Sequence, residues 1–253
     1  MNLITFNSFM QYYRLILYVI FGVLPSLIWL SYYLKKDLHP EPKKMIVKVF
    51  FYGGLITIPT FFIQIWLSKL LNQLHFTSYP IIVEVFRWFL VIALTEEFLK
   101  YAAVKLSMHH SYEPDEPLDI MLYMVVAALG FAAVENVLYL FSPIDNVPFN
   151  TLLQTTIAIS FIRFMGATFL HTLCSGLLGY FLALASLKKK NGLVLTMSGI
   201  SLAALSHGLY NFSITTLQGP ISIIIPTAVI MGLTIFMLYD FNEVKKIKSI
   251  CKI

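Results

Sequence analysis

Residues 15–34, 49–68, 193–213 and 220–239 of this chain contain no Asp, Glu, Lys or Arg. About 20 consecutive apolar residues are what a helix needs to cross a hydrocarbon core of roughly 30 Å. Each run is therefore read as a transmembrane helix. Three further apolar runs carry a few ionisable groups: 87–107 holds Glu96, Glu97 and Lys100, 120–141 holds Glu135, and 164–187 holds His171. Lipid cannot satisfy backbone N–H and C=O groups, so spans of this length must be helical. The expected fold class is all-α: a polytopic membrane protein of about seven transmembrane helices, forming a single integral membrane domain over residues 1–253. Its solvent is the lipid bilayer and its expected location the plasma membrane.

Charged residues make up 12% of the 253, against about a quarter in soluble domains, and their placement orients the helices. Lys35, Lys36, Lys43, Lys44 and Lys48 follow the first span and Lys105 ends the third. Lys188, Lys189 and Lys190 end the fifth, and Lys245, Lys246, Lys248 and Lys252 follow the seventh. With seven spans every cluster lies on one side, and the positive-inside rule makes that side cytoplasmic, with the N-terminus outside and the C-terminus inside. The net charge of +5 is then a topology signal, and no nucleic-acid partner is expected. Cys174 and Cys251 do not suggest a disulfide framework. The first run has no small-x-small cleavage site and is read as a retained anchor. His109, His110, Asp115 and Glu116 sit in a loop punctuated by Pro114 and Pro117, which reads as a solvated turn rather than a metal site. Residues 151–162 have two readings, an interfacial helix against the outer leaflet or an extension of the fifth span.

Ionisable groups at membrane depth are expensive, which makes them functional candidates. The inventory is Glu96, Glu97 and Lys100 in the third span, Glu135 and Asn136 in the fourth, His171 in the fifth, and His207 and Asn211 in the sixth. At about 1.5 Å per residue, with Arg87 and Arg163 as outer boundaries, Glu96 and Glu97 lie roughly 14 Å down and His171 roughly 12 Å down. Counted up from the inner face, His207 and Glu135 stop about 7–9 Å short of the outer one. Four helices thus bring their polar groups to the outer half of the membrane, where they line one cavity. Glu96 and Lys100, Phe131 and Glu135, and His207 and Asn211 each share a face at i, i+4, while Glu97 is turned about 100° from Glu96. Gly176, Gly179 and Gly208 allow close helix approach around the cluster. Ser175, Thr172 and Ser206 are read as packing residues.

Carboxylates, imidazoles and an amide in a partly dehydrated pocket suit a water-activating hydrolase. A desolvated glutamate beside a like charge is a better proton acceptor near neutral pH, and an imidazole and an amide can donate to the oxyanion formed when water attacks a peptide carbonyl. A metal is not the favoured reading; if one is bound, the expected ligands are His171, His207 and Glu97.

The ordered set Glu96-Glu97-x-x-Lys100, Phe131-x-x-x-Glu135-Asn136, His171-x-x-x-x-Gly176-x-x-Gly179 and His207-x-x-x-Asn211 resembles the motifs of PrsW-type intramembrane proteases, and residues 37–44, "DLHPEPKK", are similar to the segment after the first helix in that family. The resemblance spans the first to the sixth helix. It implies a glutamate-dependent intramembrane endopeptidase related to the type II CAAX prenyl endopeptidases. Glu97 or Glu96 would be the base, Glu97 being preferred, with His207 and Asn211 near the oxyanion and Lys100, Phe131 and Asn136 in support. The prenyl endopeptidases have histidine where this chain, like the PrsW proteins, has Glu135, and His171 is read as replacing that imidazole. The implied partner is a single-pass membrane protein, with an anti-sigma factor as the family's substrate type, and no cofactor is expected. A proton-coupled carrier is the main alternative, because buried Glu and His also build proton relays; a non-catalytic membrane scaffold is a third.

Overall fold

The computed structural model describes residues 3–36, 39–73, 80–108, 116–141, 148–187 and 191–244, with backbone alone for 3–11 and 240–244. His109, His110, Asp115, Cys251, Lys188 to Lys190 and the lysines from Lys245 onward lie outside these residues, as does Asp37 of the "DLHPEPKK" stretch.

Among the described residues the chain forms seven helical rods and no strand. They are α1 (Leu3–Leu34), α2 (Lys43–Gln73), α3 (80–108), α4 (Pro117–Leu140), α5 (Phe149–Leu187), α6 (Gly192–Thr216) and α7 (Ile221–Val244). Six of the seven are long and apolar enough to cross a membrane. The exception is α3, which carries Glu84, Arg87, Glu96, Glu97, Lys100 and Lys105. The expected all-α polytopic membrane architecture is therefore the one observed, and the least oily rod is the one that carries the paired glutamates.

Residues 151–162 are continuous with the fifth span. The rod α5 runs unbroken from Phe149 to Leu187, so no separate interfacial helix exists there. Two of the rods contain a wider π-helical turn: Arg87–Leu94 in α3, between α-helical Pro80–Phe86 and Thr95–Met108, and Phe164–Thr168 in α5, between Phe149–Arg163 and Phe169–Leu187. Such turns concentrate at functional sites, and here each directly precedes candidate site residues, Glu96 and Glu97 in one rod and His171 in the other.

The central post is α4, almost wholly buried and packed against α1, α2 and α5. It starts cleanly because Pro117 opens the first turn and Glu116 and Asp119 form a reciprocal capping box, satisfying N–H groups that a helix start leaves without intrahelical partners. Glu116 also meets His39 at 3.1 Å, which ties the start of α4 to the α1–α2 connection. The α2–α4 crossing depends on Gly53 and Gly130: a Cβ on either would run into a backbone carbonyl of the facing helix, of Ala127 or Phe50. Gly179 and Gly208 likewise meet Met121 and Phe89 at distances that leave no room for a Cβ, and Gly176 lies against the terminal methyl of Met237. The close approach expected around the histidines is real.

Candidate active site

Five rods deliver polar side chains to one cluster. From α3, Lys100 is fully buried; its Nζ donates to Glu97 Oε1 at 2.8 Å and approaches Glu96 Oε2 at 3.5 Å. It also lies 2.7 Å from His171 Nδ1 on α5 and 4.6 Å from the ring centroid of Phe131 on α4. A buried ammonium is tolerable only when paired, and this one has two carboxylates, an imidazole lone pair and an aromatic face. Its nearer carboxylate is Glu97, the i, i−3 neighbour, rather than the i, i−4 residue Glu96 that the helical spacing favoured.

The two glutamates have different surroundings. Glu97 is sealed in protein: it accepts from Lys100, from Ser175 Oγ at 3.2 Å and from His207 Nδ1 at 2.9 Å. Glu96 faces a cavity of about 430 Å³ whose walls include Gln64, Trp88, Glu135, Arg163, His171, His207 and Asn211. Gln64 Nε2 donates to Glu96 Oε1 at 3.1 Å, while Glu96 Oε2 points to His171 Nδ1 at 4.0 Å and His207 Nε2 at 3.9 Å. Glu97 does not border this cavity, so the carboxylate open to a substrate is Glu96.

Each histidine has one nitrogen on a carboxylate and the other turned toward Glu96. His207 presents Nδ1 to Glu97, and His171 presents Nε2 to Glu135 Oε2 at 3.0 Å. The hydrogen-bond network therefore assigns a proton to His207 Nδ1 and another to His171 Nε2, whose Nδ1 accepts from Lys100. The rings meet edge-on with centroids 5.0 Å apart. Asn211, one turn past His207, lines the cavity with its amide.

Several groups are not where the sequence pattern alone would put them. Arg163, a membrane boundary by its position at the end of an apolar run, turns into the site: its guanidinium is 2.7 Å from Glu135 Oε2, donates to Asn136 Oδ1 at 2.5 Å and lies over the Tyr139 ring. It is the cation that compensates Glu135. Gln64 sits in an uncharged run with nothing in its spacing to mark it. Ser175, read as a packing residue, binds Glu97, whereas Thr172 meets Tyr33 Oη at 3.0 Å and stays outside the cluster. Phe131 and Asn136 are where the motif spacing put them, one under Lys100 and the other under Arg163. All the candidate positions, Glu96, Glu97, Lys100, Phe131, Glu135, Asn136, His171, His207 and Asn211, converge on this cavity and its immediate wall.

Glu96, His171 and His207 each offer a ligand atom, and these atoms lie within 4.8 Å of one another. The donor types suit zinc, and Glu97 and Glu135 behind the two imidazoles are the partners that metal-ligating histidines usually have. The ligand set differs from the expected one in using Glu96 in place of Glu97. With neutral imidazoles, three carboxylates face two cations, Lys100 and Arg163, which leaves one negative charge in excess. The donor types suit a divalent cation, and binding one would require Lys100 to leave His171 Nδ1.

A polytopic helical membrane protein with a buried, cavity-lining Glu/His/Asn cluster belongs chemically with the intramembrane hydrolases. The profile of a family described as "PrsW family intramembrane metalloprotease" matches residues 41–239. Protease PrsW of Oceanobacillus iheyensis is 32% identical over 227 residues, covering 88% of this chain and 94% of that one. Protease PrsW of Bacillus subtilis is 28% identical over 232 residues, 90% and 94% of the two chains, and that of Geobacillus kaustophilus 30% over 192, 76% of each. No solved structure is significantly similar. The chain belongs to the PrsW family of intramembrane proteases; it is a multi-pass membrane peptidase.

Proposed function

We propose that this protease hydrolyses a peptide bond of a single-pass membrane protein with Glu96 as the group that takes the proton from water. The observation that carries this reading is that, of the two buried glutamates, Glu96 borders the cavity, whereas Glu97 is enclosed by Lys100, Ser175 and His207. Gln64 fixes one carboxylate oxygen of Glu96 and leaves the other turned to the histidines. In the attack, water loses a proton to Glu96 as its oxygen bonds to the scissile carbonyl carbon. The oxyanion that forms takes donors from the Asn211 amide and from His207 Nε2 when that ring is protonated. Glu97, on Nδ1 of the same ring, holds the ring's orientation and stabilises its cation. Glu96 then returns the proton to the leaving amide nitrogen as the C–N bond breaks.

The Glu96, His171 and His207 donor set favours a second reading, in which these three residues hold a divalent metal. Bound there, the metal would supply Lewis acidity toward a carbonyl and a more acidic water. Glu97 and Glu135 would keep the two imidazoles oriented in either case.

The test is co-reconstitution with candidate single-pass proteins, including membrane-bound anti-sigma factors, for which the family resemblance is the support. Glu96→Gln and His207→Ala should leave the substrate intact while the protein still folds. Full cleavage by Glu96→Gln would overturn its assignment. Activity that survives a strong chelator supports the metal-free route, whereas loss on chelation with recovery on adding zinc supports the metal.

A further inference from the structure

The proposed proteolytic steps leave Arg163 unused, although it lines the cavity and bonds both Glu135 and Asn136. Its position is fixed from three sides. Asn136 Oδ1 accepts from Nε, the Tyr139 ring lies under the guanidinium, and Asn136 is itself anchored through Nδ2 to the Gly22 carbonyl at 3.2 Å and to Thr168 Oγ1 at 3.0 Å. These anchors connect α1, α4 and the π turn of α5, on whose edge Arg163 stands. So held, the guanidinium meets Glu135 Oε2 at 2.7 Å. The same oxygen is the one that faces His171 Nε2.

We infer that Arg163 is a positioning residue for the proteolytic reaction, acting through Glu135 to hold the His171 ring in place by its Nε2–H, while Lys100 on Nδ1 fixes the tautomer. Glu135 has a partly exposed side chain, and apart from His171 the guanidinium is the partner of its Oε2 among the described residues. His171 Nδ1 lies 4.0 Å from the oxygen of Glu96 that serves as base or as ligand. A boundary arginine would do none of this, because it would place its charge at the lipid headgroups; this side chain is largely buried at 11% exposure. The inference rests on the peptidase reading of the site, but it concerns the state of one histidine and can be tested apart from turnover.

Two measurements on the full chain in detergent test it. Nitrogen-15 NMR of histidine-labelled protein reads the His171 Nε2–H signal with no substrate present, against a His171→Ala variant for assignment. The native protein should show one sharp Nε2–H signal shifted downfield by its bond to Glu135, Arg163→Gln a broadened signal shifted upfield, and Arg163→Lys nearly the native signal. Cleavage of the reconstituted single-pass substrate gives the second measurement: Arg163→Gln should lower kcat by about 10–100-fold, the usual effect of losing an outer-shell partner, with little change in KM, and Arg163→Lys should recover most of it. The double variant Arg163→Gln/Glu135→Gln should be no slower than Glu135→Gln alone, since the two act in one chain. Native His171 signals in Arg163→Gln, a lysine variant as impaired as the glutamine one, or additive losses in the double variant would each overturn the inference. Should Arg163→Gln fail to fold, Arg163→Lys and Glu135→Gln still carry the NMR test. Full cleavage by Glu96→Gln would instead refute the choice of base and leave the histidine spectra unaffected.

Discussion

Glu97→Gln and Glu96→Gln change adjacent residues by the same chemistry, and the structure makes them differ in kind. At an effective dielectric constant of about 20, unit charges at the Lys100–Glu97 separation of 2.8 Å attract by about 6 kcal/mol, and at the Lys100–Glu96 separation of 3.5 Å by about 5 kcal/mol. These attractions mainly offset the cost of burying the ions. Removing one partner of a fully enclosed pair therefore exposes a penalty of about 3–5 kcal/mol. Glu97→Gln removes the nearer charge and also disturbs the acceptor that Ser175 and His207 share, so it should destabilise by that amount. Glu96→Gln keeps the Lys100–Glu97 pair, borders the cavity and can still bond Gln64, so about 1–2 kcal/mol is expected. The assay is equilibrium unfolding in mixed micelles, read by tryptophan fluorescence, beside cleavage of a co-reconstituted substrate. If Glu97→Gln proved as stable as Glu96→Gln, the division into an enclosed structural carboxylate and a cavity-facing reactive one would be wrong.

Further variants probe the supports of the site. Gln64→Leu should lower kcat by about tenfold with stability little changed, since one neutral hydrogen bond to Glu96 is lost at a cavity wall; an unchanged rate in the cleavage assay would deny Gln64 a positioning role. Gly130→Leu should prevent native packing of α2 on α4, because its side chain starts inside the Phe50 carbonyl, and gel filtration of the expressed protein would show aggregate in place of a single species. Trp29→Ala should cost about 3–5 kcal/mol: the indole stacks on Phe169 at 4.4 Å and on Phe164 at 5.3 Å, and its Nε1–H donates to the Phe164 carbonyl in the π turn of α5. The unfolding assay checks it.

Hydropathy is enough to read the rods, since each long uncharged run is a helix and the glycines near the histidines are close crossings. The convergence of Glu96, Glu135, His171 and His207 is also legible, because a helix converts residue count into depth at a fixed rate. Rotation about the helix axis is less so. A π turn just before Glu96 alters the angular position of everything after it, and "RWFLVIAL" gives no sign of one. Hence a regular-helix reading leaves open which of Glu96 and Glu97 faces the cavity. The choice of Lys100 between them lies within α-helical Thr95–Met108, where i, i+3 and i, i+4 partners are both in reach. Arg163 is misplaced for a related reason: an arginine at the end of an apolar run ordinarily marks the headgroup region, and nothing local says that Glu135, 28 positions earlier, is waiting for it. Gln64 carries no charge, so a search for costly groups passes over it.

The enclosed state of Glu97 has a consequence for how this protein is made. Of its partners only Lys100 is on its own helix; Ser175 and His207 come 78 and 110 residues later in the chain. When α3 leaves the ribosome, its ionisable residues face a translocon and lipid that charge each of them an insertion cost of a few kcal/mol, and the groups that relieve it have not been synthesised. The third helix is therefore marginal by its own hydrophobicity, with Lys100 as the partner it carries for the glutamate pair. A nascent chain stopped before residue 207 holds the pair without the His207 that completes the enclosure of Glu97, so the site is finished only when α6 packs.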